Sequence, residues 1–172
     1  MNDAPLLIEP YNSEWPKLFE LEAARLTEVL RPWLAGAVEH VGSTAVCGLA
    51  AKPVIDIMAP VSSLSDSEPA IRTLSALSYC FFPYRADVMH WFCKPSPAHR
   101  THHLHLVPRG SVLWAQRIAF RDALRNSAEL AAEYQTLKQR LAHEHAQDRE
   151  AYTEAKSPFI QSVLSRLGAS AA

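Results

Sequence analysis

Apolar residues are spaced in two different ways along the chain, and these spacings predict its helices and strands. From Trp15 to Leu30 they recur at helical intervals, which predicts a helix over residues 14–30 with Ser13 as its N-cap. Short apolar runs follow and predict strands, with an amphipathic helix at 65–77 among them. The predicted strands are 37–41, 53–61, 79–82, 88–94 and 102–107.

Beyond Gly110 the pattern is helical. Ser127 is the predicted N-cap of the second helix in this part, Ser157-Pro158 interrupts the third, and Gly168 ends it. The predicted helices are 112–125, 128–146 and 148–168. Because no repeat, linker or low-complexity tract interrupts the chain, we expect a single domain over residues 1–172. Its predicted class is α/β, a mixed sheet with a helical C-terminal third.

Composition is that of an ordinary globular protein. Of the 172 residues, 48% are hydrophobic and 20% are charged, and the formal net charge of −1 gives no general attraction to nucleic acid or membranes. Three cysteines without a C-x-x-C pair indicate neither a disulfide framework nor a zinc ribbon. The start, MNDAPLLIEP, lacks signal-peptide character, and no apolar run approaches membrane-spanning length. We therefore expect a cytoplasmic protein with no membrane partner and no evident nucleic-acid partner.

Asp56 is the most unusual residue of the predicted strands, because a lone carboxylate among apolar neighbours is costly to bury. Alternate residues of a strand share a face, so Asp56 lies on the same face as Met58, and His103 shares a face with His105. His102 and Leu104 are then expected to face away. We expect at least one of the two histidines to lie beside Asp56.

Polar residues from a third strand are further candidates for this site. Glu39 and His40 lie on opposite faces of the strand 37–41, so only one of them is expected near Asp56. A simpler alternative is that Asp56 only pairs with a lysine or arginine, since buried carboxylates are usually paired.

The segment before Asp56 has the chemistry of an anion site. Gly42, Ser43 and Thr44 form a predicted turn whose backbone N–H groups and hydroxyls suit phosphate oxygens, and Lys52 can neutralise a phosphate. The spacing is not that of a P-loop. Further candidates for anion contacts are Arg100, Arg109 and Arg121, although Arg121 with Asp122 also fits a simple ion pair on a helix.

Several segments resemble the signature segments of the GrpB family: EHVGSTAVCGLAAKPVIDIM, HHLHLV and FRDALR. The resemblance extends over nearly the whole chain, including YNSEWP near the start and REAYTEAKSPFI near the end. It implies the nucleotidyltransferase fold, in which a Gly-Ser turn precedes a strand with two carboxylates that hold magnesium on a nucleotide triphosphate. In some proteins a GrpB domain is fused to dephospho-coenzyme A kinase.

Gly42, Ser43 and Asp56 match that pattern, but Met58 stands where the second carboxylate is expected. Cys47 replaces an expected proline. The resemblance therefore implies a protein that binds a nucleotide or another phosphorylated small molecule, with Asp56 as principal ligand of magnesium or manganese and with metal-dependent nucleotidyl or phosphoryl transfer as the activity.

Two alternatives follow from the missing second carboxylate. One is a non-catalytic nucleotide-binding module that keeps the turn and Lys52. The other is a hydrolase that uses a transition metal, such as zinc, held by Asp56, His103 and His105, because imidazole is a poor ligand for magnesium but a good one for zinc.

Overall fold

The computed structural model describes residues 7–168. Five strands form one mixed sheet in the order β1-β2-β5-β4-β3, in which β2 and β5 are parallel and the other pairs are antiparallel. A single turn of 3-10 helix, Ser43–Ala45, follows β1. The strands are β1 (Glu39–Val41), β2 (Ile55–Val61), β3 (Cys80–Phe82), β4 (His90–Pro95) and β5 (Arg100–Pro108). The helices are α1 (Trp15–Val29), α2 (Leu64–Ser67), α3 (Ala70–Ser75), α4 (Val112–Asn126), α5 (Ala128–Glu144), α6 (Arg149–Ala155) and α7 (Ser157–Arg166).

Most predicted elements are present, with two corrections. Ser13 is not the N-cap of α1: Glu14 holds that position without a side-chain cap, and Asn12 Oδ1 accepts the Glu14 N–H at 2.9 Å. The helix predicted at 65–77 is two short helices, α2 and α3, because Pro69 lacks an N–H and disfavours helical backbone in the residue before it.

The predicted helix ends in the C-terminal third are confirmed. Ser127 caps α5 by accepting the Leu130 N–H at 3.1 Å. The last predicted helix is interrupted at Lys156, and Pro158 lies in the first turn of α7, where its missing N–H costs nothing. Within residues 7–168, no helix combines the length and the apolar character needed to cross a membrane.

The two faces of the sheet are covered by different helices. One face packs against α1 and α3 and holds the larger core, which includes Ile55, Ile57, Phe92, Leu104 and Leu106. The other face packs against α4 and contributes Val41, Met58, Met89 and Val107 to a second cluster. Asp56 lies on this second face, because it alternates with Ile55 and Ile57 along β2.

The helical C-terminal third also packs against the segment between β1 and β2. Val46 and Leu49 of that segment form one cluster with Leu124 of α4 and Tyr134 of α5. Phe159 of α7 stacks on Tyr134 with ring centroids 5.3 Å apart. The C-terminal helices are thereby held beside the turn that precedes Asp56.

Candidate functional site

Asp56 packs directly against the backbone of Gly42. The antiparallel register places Val41 opposite Asp56, so the turn after β1 begins at the level of this carboxylate. Gly42 has φ +72°, and a Cβ at this position would lie 2.5 Å from Asp56 Oδ2 and 2.9 Å from its Cβ. Both the backbone conformation and the close approach therefore require glycine.

Two histidines of β5 lie against the same carboxylate. His103 is the parallel register partner of Asp56, and its Nδ1 donates to Asp56 Oδ1 at 2.9 Å. His105 Nε2 lies 3.9 Å from the same oxygen. On the opposite face, Leu104 is fully buried in the larger core and His102 Nδ1 contacts Thr101 Oγ1 at 2.9 Å. The expectation that at least one of the two histidines lies beside Asp56 is confirmed.

The surroundings of this site favour the ionised form of Asp56 and the neutral form of His105. Burial acts to raise the pKa of Asp56, but the hydrogen bond from His103 and the proximity of His105 outweigh it and hold that pKa well below its usual value. Burial, together with the charge of Arg117, lowers the pKa of His105 to about 4. Asp56 keeps 28% of its side chain exposed, whereas His105 keeps only 5%.

Two cations from the C-terminal third, Arg117 and Lys156, lie near Asp56. We call the group that they form with Asp56, His103 and His105 the Asp56 cluster. Arg117 on α4 is half-buried, and although burial lowers its pKa, the charge of Asp56 acts to raise it. Lys156 lies at the junction of α6 and α7, where burial lowers its pKa to about 8 and the charge of Asp56 again opposes the shift. Both cations are thus close enough for the charge of Asp56 to affect their pKa values.

Sequence reasoning missed both cations. The sequence could have indicated Arg117, because Arg117, Arg121 and Arg125 recur every fourth residue and so share one face of the predicted helix. In the structure Arg121 contacts β1 and Arg125 Nε donates to Ala45 O at 2.9 Å. Lys156 had no such signal, because its position depends on how the last two helices pack.

Ser43 and Lys52 lie at the edge of the Asp56 cluster. Ser43 is half-buried and lies beside the hydroxyl of Tyr134. Lys52 is half-buried, and its charge contributes to the lowered pKa of Lys156, so the two ammonium groups are neighbours. Ser43 thus follows the glycine that packs on Asp56, and Lys52 lies within electrostatic reach of Lys156.

The side chains of Thr44 and His40 are engaged in contacts within the protein core. His40 Nε2 and Thr44 Oγ1 lie 3.0 Å apart, and Thr44 also donates to Val54 O at 3.2 Å. Both side chains are buried, and His40 stacks on Phe19 with centroids 4.6 Å apart. Contrary to expectation, the Thr44 hydroxyl is not presented to a ligand, because these two bonds already occupy it.

The remaining predicted contacts are also engaged elsewhere. Arg121 Nη1 lies 2.6 Å from Glu39 Oε2 and its Nε lies 2.8 Å from Asp122 Oδ1, which is the structural ion pair named above as the alternative. Arg109 donates to Ala35 O at 2.6 Å, away from the cluster. Arg100 donates to Pro97 O at 2.9 Å, and its guanidinium lies 5.4 Å from the ring centroid of Trp91.

The side chains around Asp56 do not fit a divalent metal. Among the described residues, no group of three or more His, Cys, Asp and Glu side chains has the arrangement of a metal site. Met58, at the position of the second carboxylate, is fully buried among apolar residues. Arg117 and Lys156 lie within electrostatic reach of Asp56, and their charges would oppose the approach of a metal ion. The same objection applies to the zinc site expected from His103 and His105.

Comparisons with known proteins identify close relatives. The family model described as GrpB protein matches residues 5–166. A UPF0157 protein of Pseudomonas aeruginosa is 35% identical over 170 residues, which cover 96% of this chain and 69% of the relative. The glutamate-rich protein GrpB of Alkalihalophilus pseudofirmus is 30% identical over 172 residues, which cover 97% of this chain and 98% of the relative.

Solved structures agree with this assignment. The crystal structure of the conserved protein GrpB from Enterococcus faecalis matches with a TM-score of 0.84 and 30% identity, covering 93% of this chain and 96% of that one. A structure of the GLD-2/RNP-8 complex matches with a TM-score of 0.58 at 13% identity, covering 91% of this chain and 61% of that one. At that identity the match concerns the fold alone, and together with the five-stranded mixed sheet it agrees with the expected α/β class.

Proposed function

The chain belongs to the GrpB family, and we propose that it binds a nucleotide or another phosphorylated small molecule at the Asp56 cluster. The proposal includes no resident metal. Arg117, Lys156 and Lys52 supply the positive charge that a metal ion supplies in nucleotidyltransferase-like sites with two carboxylates. Ser43 adds a hydroxyl at the same edge.

The observation that carries the proposal is the grouping of cations near Asp56. Lys156 lies within electrostatic reach of Lys52 and Arg117, which act to lower its pKa, and of Asp56, which acts to raise it. Confining like charges in a partly buried place is unfavourable unless a counter-charge joins them. A phosphorylated ligand supplies that counter-charge.

Unpartnered polar atoms support the same conclusion. Within the described part of the chain, Arg117 Nε, His103 Nε2 and His105 Nε2 are buried without a hydrogen-bond partner. Buried polar groups are almost always hydrogen-bonded, so three exceptions within one cluster indicate a missing partner. A phosphate oxygen can accept a hydrogen bond from Arg117 Nε, and a charge-assisted bond of this kind is worth roughly 1.5–3 kcal/mol.

A second candidate function, phosphoryl or nucleotidyl transfer, is favoured by the bond between Asp56 and His103. A carboxylate that accepts from Nδ1–H at 2.9 Å selects the tautomer in which Nε2 carries no proton. Such a nitrogen can act as a general base toward an attacking water or hydroxyl group. His103→Gln separates the functions: binding is retained in both cases, and turnover of a nucleoside triphosphate is lost only if His103 acts as a base.

A thermal-shift series tests the binding proposal. Phosphate, pyrophosphate, tripolyphosphate, ATP and dephospho-coenzyme A are compared at equal ionic strength, each with EDTA and each with magnesium. We expect the melting temperature to rise in EDTA, more strongly as the number of phosphate groups increases. A rise that requires magnesium contradicts the metal-free site, and no rise with any of these compounds contradicts phosphate binding itself.

A further inference from the structure

We propose that Tyr84, supported by Trp91, forms a stacking surface for the nucleobase of a nucleotide whose phosphate groups lie at the Asp56 cluster. This inference rests on the proposed phosphate-binding function and narrows the ligand class to nucleotides.

Tyr84 is exposed in a way that core packing does not explain. It lies in the connection between β3 and β4, and 57% of its surface is exposed. Its ring contacts Trp91 in an edge-to-face arrangement, with centroids 6.4 Å apart. Trp91 is held from behind by Phe82 at 5.6 Å, so the exposed ring rests on a packed aromatic base. An aromatic ring that is supported in this way and still open to solvent is suited to stack on a planar ligand.

The aromatic group is continuous with the Asp56 cluster on two sides. Trp91 is the register partner of His105, and its ring centroid lies 5.2 Å from that of His103. On the other side, Tyr84 and Arg117 are electrostatic neighbours. A ligand that places phosphate groups on Arg117 and a ring on Tyr84 therefore does not need to span separate surfaces.

The charges around the rings favour a nucleotide over a purely apolar ring. The guanidinium of Arg100 lies over Trp91 at 5.4 Å, and Arg85, adjacent to Tyr84, is close enough to Arg117 to contribute to the lowering of its pKa. Arginine and aromatic side chains together are the usual combination for binding bases beside phosphates, and every base has a ring face that can stack. A phosphorylated sugar or polyphosphate would use the cations alone.

Titration calorimetry in EDTA with ATP and with inorganic tripolyphosphate tests this inference. The wild-type chain is compared with Tyr84→Leu, which removes the ring, and with Tyr84→Phe, which keeps it. Because Tyr84 is largely exposed, neither substitution is expected to impair folding. We expect ATP to bind the wild type and Tyr84→Phe about 5- to 150-fold more tightly than tripolyphosphate. Tyr84→Leu should remove that preference without changing the affinity for tripolyphosphate.

The outcomes separate this inference from the function on which it rests. If tripolyphosphate binds and ATP binds no more tightly, the stacking surface is wrong and phosphate binding stands. If Tyr84→Leu and Tyr84→Phe weaken ATP equally, the hydroxyl rather than the ring matters, and the stacking surface is again wrong. If neither compound binds the wild type, both proposals are wrong.

Discussion

Gly42 and Asp56 are packed so closely that no side chain fits at the glycine: a Cβ there would lie 2.5 Å from Oδ2, 2.9 Å from Cβ and 3.0 Å from Cγ of Asp56. Rotation of the carboxylate cannot relieve all three contacts, because the Asp56 Cβ is fixed to the backbone of β2. The turn after β1 and the carboxylate therefore define each other's positions.

Gly42→Ala is predicted to destabilise the domain more than Gly48→Ala does. The two glycines have similar φ values, +72° and +78°, but nothing lies within 4 Å of a Cβ built at Gly48. Gly48→Ala therefore measures the strain of a positive φ, about 1–2 kcal/mol, whereas Gly42→Ala adds a clash of roughly 1–3 kcal/mol and a ψ of −173°, in a backbone region essentially restricted to glycine. Urea unfolding of both variants gives the two free energies.

The double variant Gly42→Ala/Asp56→Ala provides the control for this comparison. Truncating Asp56 removes the Oδ2 and Cγ contacts, so part of the added cost should be recovered as coupling between the two positions. Equal costs at Gly42 and Gly48, or strict additivity in the double variant, would contradict the close approach.

Asp56→Asn is predicted to lower the pKa of Lys156. Burial sets this pKa at about 8, and the charge of Asp56 is what limits the decrease. Losing that charge should move the titration of Lys156 to lower pH, which an NMR titration of its side chain measures directly. Glu150→Gln, which neutralises an exposed carboxylate of α6, should leave it unchanged. A Lys156 pKa that is unaffected by Asp56→Asn would remove Lys156 from the cluster.

Lys138→Met is predicted to stabilise the domain at pH 7 and to lose this advantage as the pH rises. Lys138 is buried, donates to Ala50 O, and has a pKa lowered to about 7 by burial and by Lys156. The unfolded chain therefore binds more protons between pH 7 and the ordinary lysine pKa of 10.5, so the wild-type free energy of unfolding rises with pH across that window. Methionine cannot titrate, so the difference between the variants should shrink from pH 7 to 10. A pH-independent difference would contradict the lowered pKa.

Acid should destabilise the wild type between pH 6.5 and 4, partly through His40. Burial, only partly offset by the charge of Asp56, lowers the pKa of His40 from 6.5 to about 4. The unfolded chain binds the extra proton first, so stability that is present above pH 6.5 is lost as the pH falls toward 4, by about 3 kcal/mol for one such group. His40→Gln should show a shallower decline in chemical unfolding. The same slope in both proteins would mean that His40 is not buried in its neutral form.

Alternation of residues along strands accounts for what the sequence could predict of the site. It placed His103 and His105 on one face and Asp56 among apolar neighbours, and the structure adds only that β2 and β5 are adjacent and in register. The strand order β1-β2-β5-β4-β3 could not be read from local patterns, because pairing β2 with β5 depends on contacts between distant segments.

Contacts from the helical third were beyond prediction for the same reason. Arg121 was a candidate for a ligand contact and Arg117 was not, and only the packing of α4 on β1 decides that Arg121 pairs with Glu39. Likewise, the sequence alone gives no reason to expect Lys156 within electrostatic reach of a carboxylate of β2. The resemblance to magnesium sites suggested a metal, and the cations found around Asp56 lead to the opposite proposal.

Calorimetry with tripolyphosphate in EDTA on matched variants tests directly whether cations around Asp56 bind phosphate without a metal. Arg117→Met and Lys156→Met remove the two cations of the cluster. Arg72→Met removes an exposed cation from α3, which packs against the opposite face of the sheet. We expect tripolyphosphate to bind the wild type and Arg72→Met equally and to bind each cluster variant about 10- to 150-fold more weakly. Equal affinities for all four proteins, or binding that appears only when magnesium replaces EDTA, would contradict this expectation.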